Sequence, residues 1–267
     1  MGFSGGNTFP RAAAGGGGGG GATFTVEWDC TDAAALAAAN WKTTDPQTVN
    51  GVSMSSHNDS GTDQLELDGS TGLVMRTTDG HRSIPYNNAY PATMLLADIE
   101  DSVGGSWDRY TERCYFQARL NGTTASPQGA GLCMAESLTP LDIDQIFYGT
   151  ANGSLQYQSE GTVARSNSIT VPSDILMEII LGQWGMVRWR MVAWPGSFPD
   201  PDTFTPLGVT NGYAIEGTGS PVKTLAATKW VPGTAAWGFC VWHNSAAAGQ
   251  FTQTVKGWRC GKITVPT

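Results

Sequence analysis

Apolar and polar residues alternate along most of this chain with a period of two. The clearest case is "DRYTERCYFQARL". Tyr110, Glu112, Cys114, Phe116, Ala118 and Leu120 share one face of it, and Arg109, Thr111, Arg113, Tyr115, Gln117 and Arg119 share the other. That spacing predicts a strand with its first face in a core, built on Tyr110, Cys114, Phe116 and Leu120, and its second face in water. Asn121-Gly122 then predicts a turn. "DQLELDGSTGLVMRTT" reads as a hairpin, with Leu65 and Leu67 before Asp68-Gly69 and Leu73 and Met75 after it. "DQIFYG", "ANGS" and "LQYQSEG" read as another, with Leu155 and Tyr157 facing in. "GAGLCMAESL", "GMVRWRMVAW", "WGFCVWHN" and "FTQTVKGWRCGKITV" add further strands.

Other stretches depart from that pattern. "CTDAAALAAANW" offers a cap at Thr31 or Asp32 and then a short alanine-rich helix. "SDILMEIILGQW" fits a short helix or a buried strand equally. "WPGSFPDPDTFTPLG" carries too much proline for a central strand and is expected to be a loop. About ten to fourteen short strands joined by Gly, Asn and Asp turns predict an all-β antiparallel sandwich. No repeat at a 20–50-residue period points to a propeller or solenoid.

The first 22 residues stand apart. "RAAAGGGGGGGATF" contains seven consecutive glycines. We read 1–22 as a Gly-rich anchoring arm and 23–267 as the sandwich domain. Ordering seven glycines costs on the order of 1–2 kcal/mol each. Hydrogen bonds contribute about 1 kcal/mol net apiece and do not clearly offset that. Attachment must therefore come from the flanks: Phe3, Phe9 and Arg11 before the run, Phe24 and Val26 after it. Gly15, Gly18 and Gly21 are expected to lie extended in a crevice of a neighbouring subunit, where side chains would not fit.

Composition narrows the function classes. The chain has 267 residues, long enough for a sizeable core, and only 14% of them are charged. A net charge of −8 with scattered Lys and Arg leaves no basic stripe for nucleic acid. No apolar run is long enough to cross a bilayer. The N-terminus lacks a secretory pattern, and Gly6 sits where a myristoylation motif wants Ser or Thr. The five cysteines, Cys30, Cys114, Cys133, Cys240 and Cys260, include no C-x-x-C pair. Buried free thiols are expected, consistent with synthesis in a reducing host cytoplasm.

In order of features the chain resembles the concanavalin A-like (laminin G-like) jelly roll over roughly residues 23–265. "FTVEWDCTDAAALAAANW" matches the opening strand, small helix and Trp of such domains. "GTDQLELDG" matches a following strand, and "RYTERCYFQARL" with "GLCMAE" matches paired strands of the main sheets. "TAAWGFCVWHNSAAAGQFTQTVKGWRCGKITV" matches the aromatic-rich ending. The resemblance implies a jelly-roll sandwich. Lectins, glycosidases, virion proteins and adhesion modules all use that fold, so the site must be argued separately.

Tests for chemistry return little. A glycosidase needs two carboxylates across a sugar cleft, and the jelly-roll glucanases carry an E-x-D-x-x-E-like strand. In "LDIDQIFYG", Asp142 and Asp144 share a face, but no Glu stands at either end. Glu66 in "ELDG" reads as a turn residue. "HNDSGTD" gathers His57, Asn58, Asp59 and Asp63 without EF-hand spacing, so an Asx-rich turn is expected rather than a calcium loop. No G-x-S-x-G elbow or G-K-[ST] motif is present, and His57, His81 and His243 have no partner at a telling spacing. No catalytic residue, metal or cofactor is therefore expected. Trp184, Trp189, Trp194, Trp237, Trp242 and Trp258 crowd the C-terminal half, mostly as core. Trp194, Trp242 and His243 are the candidates for glycan contact.

Two functions follow as expectations. The first is a non-enzymatic virion structural protein of a tailed bacteriophage, a capsid- or tail-attached decoration or appendage protein held by its arm. Its partners would be capsid, tail or baseplate proteins and further copies of the chain, a trimer among the candidate states. The second is a carbohydrate-binding adhesin or glycosidase of the same fold, with a cell-surface glycan as partner. Neither nucleic acid nor membrane is an expected partner.

Overall fold

Residues 22–29, 47–49, 52–58, 64–68, 72–77, 93–108, 111–121, 128–135, 137–138, 141–142, 146–151, 154–159, 162–167, 174–181, 187–201, 215–218, 235–243 and 251–264 are described by the computed structural model. They hold eighteen strands and one short helix, more and shorter strands than the alternation alone separates. In chain order the strands are β1 (Ala22–Asp29), β2 (Gln47–Val49), β3 (Val52–Asn58), β4 (Gln64–Asp68), β5 (Gly72–Thr77), β6 (Thr93–Asp98), β7 (Glu112–Asn121), β8 (Gln128–Ala135) and β9 (Ser137–Leu138). They continue with β10 (Leu141–Asp142), β11 (Ile146–Ala151), β12 (Ser154–Ser159), β13 (Thr162–Asn167), β14 (Asp174–Leu181), β15 (Val187–Ala193), β16 (Ile215–Thr218), β17 (Ala236–His243) and β18 (Phe251–Thr264). The helix, α1, spans Ile99–Ser102.

Two antiparallel sheets carry the molecule. The first runs β16-β15-β14-β7-β18-β5-β4, with β1 also on β18; the second runs β13-β12-β11-β8-β17-β6-β3-β2. β7 and β18 are neighbours in one sheet, while β8 and β17, next to them in sequence, are neighbours in the other. The chain thus crosses between sheets at each of these steps. This is the winding of a jelly roll, and the protein is an all-β antiparallel sandwich of that type. β9 and β10 form a small separate ladder.

Alternation explains the core. Cys114, Phe116, Ala118 and Leu120 of β7 are buried, as their period predicts, and Tyr110 lies outside the described residues. Phe116 meets Trp237 at 4.9 Å between ring centroids, Trp237 meets Phe239 at 5.6 Å, and Phe239 meets Trp258 at 5.3 Å. These four rings join the two sheets across their inner faces. The ambiguous stretch "DILMEIIL" is strand β14, buried along nearly its whole length. A strand covered on both faces loses the alternation that would have identified it.

The helix α1 closes one end of the sandwich. Asp98 caps it by accepting from the Asp101 amide at 3.0 Å. Ser102 is buried between the sheets. Its hydroxyl donates to the Asp98 carbonyl at 2.6 Å and accepts from the Trp237 indole at 2.6 Å. Its carbonyl accepts from the Cys260 thiol at 3.2 Å. One helical turn is therefore fastened to β17 and to β18.

Cys114, Cys133, Cys240 and Cys260 are buried thiols, as expected; Cys30 lies outside the described residues. The expected alanine-rich helix over 31–41 also lies outside them. His57 and Asn58, expected in a loop, instead sit in β3, paired with Met94 and Thr93 of β6. The strand pattern of "VSMSSHN" overrides the turn propensity of its last residues.

Candidate functional site

The second face of β7 departs from expectation. Tyr115 and Gln117 were predicted to face water, yet both are fully buried. Register explains what surrounds them. Gln117 stands opposite Glu178 of β14 on one side and Arg259 of β18 on the other. Further along the same row, Arg259 pairs with Glu27 of β1 and Glu178 with Arg190 of β15. A row of polar residues thus crosses the outer face of this sheet, and at its centre Gln117, Glu178 and Arg259 are almost fully buried.

Burial of such groups requires hydrogen-bond partners. The Arg259 Nε donates to Gln117 Oε1 at 2.5 Å, which fixes the amide's orientation. Gln117 Nε2 then donates to Glu178 Oε2 and to the Pro199 carbonyl, the latter at 3.1 Å. Arg259 Nη2 donates to that same Pro199 carbonyl. Beside them, Tyr115 packs with Ile180 and Ile263. Burial pushes the Tyr115 phenol well above its ordinary range, with Arg259 opposing. Burial also lowers the Arg259 guanidinium, against the pull of Tyr115, Glu27, Asp200 and Glu178.

What covers the row is the segment Trp194–Pro201, the described start of the proline-rich loop. It carries no regular structure, as its composition predicts. Its root is tied by the Trp194 amide donating to the Asp174 carbonyl at 3.0 Å. The Trp194 ring lies 4.8 Å from the Arg119 guanidinium, and the Phe198 ring 5.4 Å from that of Arg259. Trp194 and Phe198 meet edge to face at 5.0 Å. Two aromatic rings of the strap thus each rest on an arginine of the sheet.

A second, more open cluster sits at the root of the strap. Arg119 grips Asp174 through Nε, at 3.2 and 3.1 Å to the two carboxylate oxygens, and through Nη2 at 2.6 Å. Lys256 approaches the same carboxylate at 3.4 Å. Lys256 is the extra residue where the β18–β7 register shifts between Val255 and Gly257. Such a bulge re-aims a side chain, and here it brings a second cation to Asp174.

The other candidates scatter. Of the glycan set, Trp194 is half-buried under the strap's own contacts. Trp242 and His243 end β17 in the other sheet, in register with Gly129 and Gln128 of β8. Of the anchoring set, Phe24 lies in β1 opposite Gly261, next to a register shift. Phe3, Phe9, Arg11, Gly15, Gly18 and Gly21 lie outside the described residues. Asp142 pairs with Ser137 in the small ladder, Glu66 pairs with Val74, and Asp144 lies outside the described residues. Among the described residues, no group of three His, Cys, Asp or Glu side chains is placed to hold a metal. No helix among them is long and apolar enough to cross a membrane.

Gln117, Glu178 and Arg259 were not singled out from sequence. One signal was available: Glu178 is a lone acid inside "ILMEIIL", and an acid in a buried strand must be partnered.

Comparison with known proteins finds no matching family model and no matching curated protein. Solved structures do match. The CBM2 module of the evolved Dit of Lactobacillus casei BL23 phage J-1 is 10% identical, with a TM-score of 0.48, over 93% of this chain and 99% of that one. Lectin II from Ulex europaeus is 9% identical, with a TM-score of 0.46, over 90% and 100%. The bifunctional GH43-CE protein of Bacteroides eggerthii is 9% identical with a TM-score of 0.48, and this chain spans only 26% of its length. The fold rests on the strand order above, and likenesses at these values carry no inference about activity.

Proposed function

We propose that this protein is a non-enzymatic structural component of a tailed-bacteriophage particle, held to the capsid or tail by its N-terminal arm and presenting the sandwich outward. The observation that carries the reading is the seating of β1. The strand that begins at Ala22, immediately after the glycine run, pairs antiparallel with the 14-residue β18 from Ala22–Ile263 to Asp29–Gly257. A pull on the arm therefore loads a row of hydrogen bonds together, in shear. It also acts on the long strand at the middle of the sheet rather than on a loop. The acidic groups of the strap face support the non-enzymatic part. Glu178 is held by Gln117, and Asp174 is gripped by Arg119 and Lys256, so neither resembles a carboxyl poised over a cleft.

Particles purified on a density gradient from the lysing host test this reading. Quantitative mass spectrometry should find the chain at a fixed ratio to the major capsid protein. Its absence, or a ratio that varies between preparations, would overturn the proposal.

One observation favours a carbohydrate-binding role alongside it. Trp194 and Phe198 lie together on an exposed strap whose Pro195, Gly196 and Ser197 face solvent. Binding on a glycan array that is lost in Trp194→Ala would support this second role.

A further inference from the structure

The strap covers the sheet in an unusual way. At its centre Arg259 and Gln117, on adjacent strands, both donate to one oxygen, the Pro199 carbonyl. The donors are preset, because Arg259 Nε holds the Gln117 amide in place from below. Among the described residues the strap is joined to the sheet by backbone pairing only at its root, through the Trp194 amide. Among the described residues, it is further held by that carbonyl, by two rings on two guanidinium groups, and by the attraction of Asp200 for Arg259. A covering segment with no other purpose would be held more firmly by apolar side chains than by buried polar ones.

We propose that the Pro199 carbonyl is an internal stand-in for a ligand's amide carbonyl, and that the strap occupies a binding site for the acetamido group of an N-acetylhexosamine glycan. The inference rests on the carbohydrate-binding role proposed above. Charge selects the chemistry. Arg259 is already answered by Glu178 across Gln117, and Gln117 is an uncharged donor, so a neutral carbonyl oxygen fits the two donors better than a carboxylate does. Position selects a sugar over a peptide. β7, β14 and β18 each have neighbours on both sides, so their outer face offers side chains and no free backbone edge for an added strand. Trp194, at the strap's root over Arg119, supplies a ring at the rim for a sugar face.

The test uses the full chain with residues 195–200 replaced by Gly-Ser-Gly, and isothermal titration with triacetylchitotriose, cellotriose, trigalacturonate and an acetylated diglycine amide. Triacetylchitotriose should bind at least tenfold more tightly than the other three. Gln117→Met in that background should lower its affinity about tenfold, the worth of one hydrogen bond. Equal binding of cellotriose would overturn the acetamido assignment and leave the carbohydrate role standing. Preference for trigalacturonate or the peptide, or binding of none, would also overturn it. The unaltered chain gives an arm independent of that replacement. Millimolar triacetylchitotriose should speed amide hydrogen exchange across residues 194–200 by displacing the strap, and unchanged exchange there would overturn the inference.

Discussion

The two faces of strand β7 are built on opposite principles. Its inner face places Cys114, Phe116, Ala118 and Leu120 against the aromatic cluster of Trp237, Phe239 and Trp258. Its outer face places Gln117 between Glu178 and Arg259. Both are buried, yet only the first gains from removing apolar surface from water. The second depends on every donor and acceptor finding its partner, so a loss there leaves a desolvated group behind. The inner face makes the sandwich stable. The outer face decides which segment lies on the sheet.

The largest effect should come from the inner face. Trp237→Ala removes a fully buried ring and the Ser102 contact, and should cost about 3–5 kcal/mol in urea unfolding. Gly238→Ala should cost a similar amount, several times the usual Gly-to-Ala effect. A Cβ there would be driven into the Leu95 carbonyl of the adjoining strand, and backbone cannot step aside cheaply. A loss below 1 kcal/mol in Trp237→Ala would erase the contrast between the faces.

The outer face should respond less, and in a particular way. Gln117→Leu keeps the volume but deprives Arg259, Glu178 and the Pro199 carbonyl of a partner, and should cost about 1–3 kcal/mol. It should also speed proteolysis in residues 194–200. Phe198→Ala should cost less than Gln117→Leu while loosening the same segment. Uniform destabilisation without local loosening would mean that the strap is not held by this row.

A pH titration sharpens the comparison further. Burial raises the thiols of Cys114 and Cys240, so the folded chain keeps protons that the unfolded chain releases near pH 8.5. Stability should be whole below that pH and fall above it, by about 1.4 kcal/mol per pH unit for each such thiol. Tyr115 steepens the fall above about pH 10. Cys240→Ala should flatten the slope between pH 9 and 10. An unchanged slope would show that this thiol titrates normally.

The smallest effect is expected at the open cluster. Arg119→Ala leaves Lys256 on Asp174, and both partners are partly exposed, with 31% and 25% of their side chains accessible. The loss should be about 1 kcal/mol or less, and smaller in high salt.

How much of this was legible in sequence follows the same division. Strict alternation located β7 and its inner residues, and the hairpins β4–β5 and β11–β12 followed from their turns. The outer face was misread because Gln117 and Arg119 look solvated until a segment some eighty residues away is laid over them. Period-two patterning reports which residues share a face, and says nothing of what covers it. β14 hid its nature for the converse reason, since both its faces are covered. The row of Gln117, Glu178 and Arg259 comes from three distant stretches, and only register brings them side by side.

The central claim is that the arm preceding Ala22 attaches the protein while the sandwich stands on its own. The most direct measurement compares the full chain with one lacking residues 1–21, each supplied in trans to cells producing particles deprived of their own copy. Recovery on gradient-purified particles is the readout. The full chain should be recovered on the particles. The shortened chain should melt within about 2 °C of it, since β1 and the core are retained, yet stay at the top of the gradient. Recovery of the shortened chain at full occupancy would contradict the account, because attachment would then belong to the sandwich.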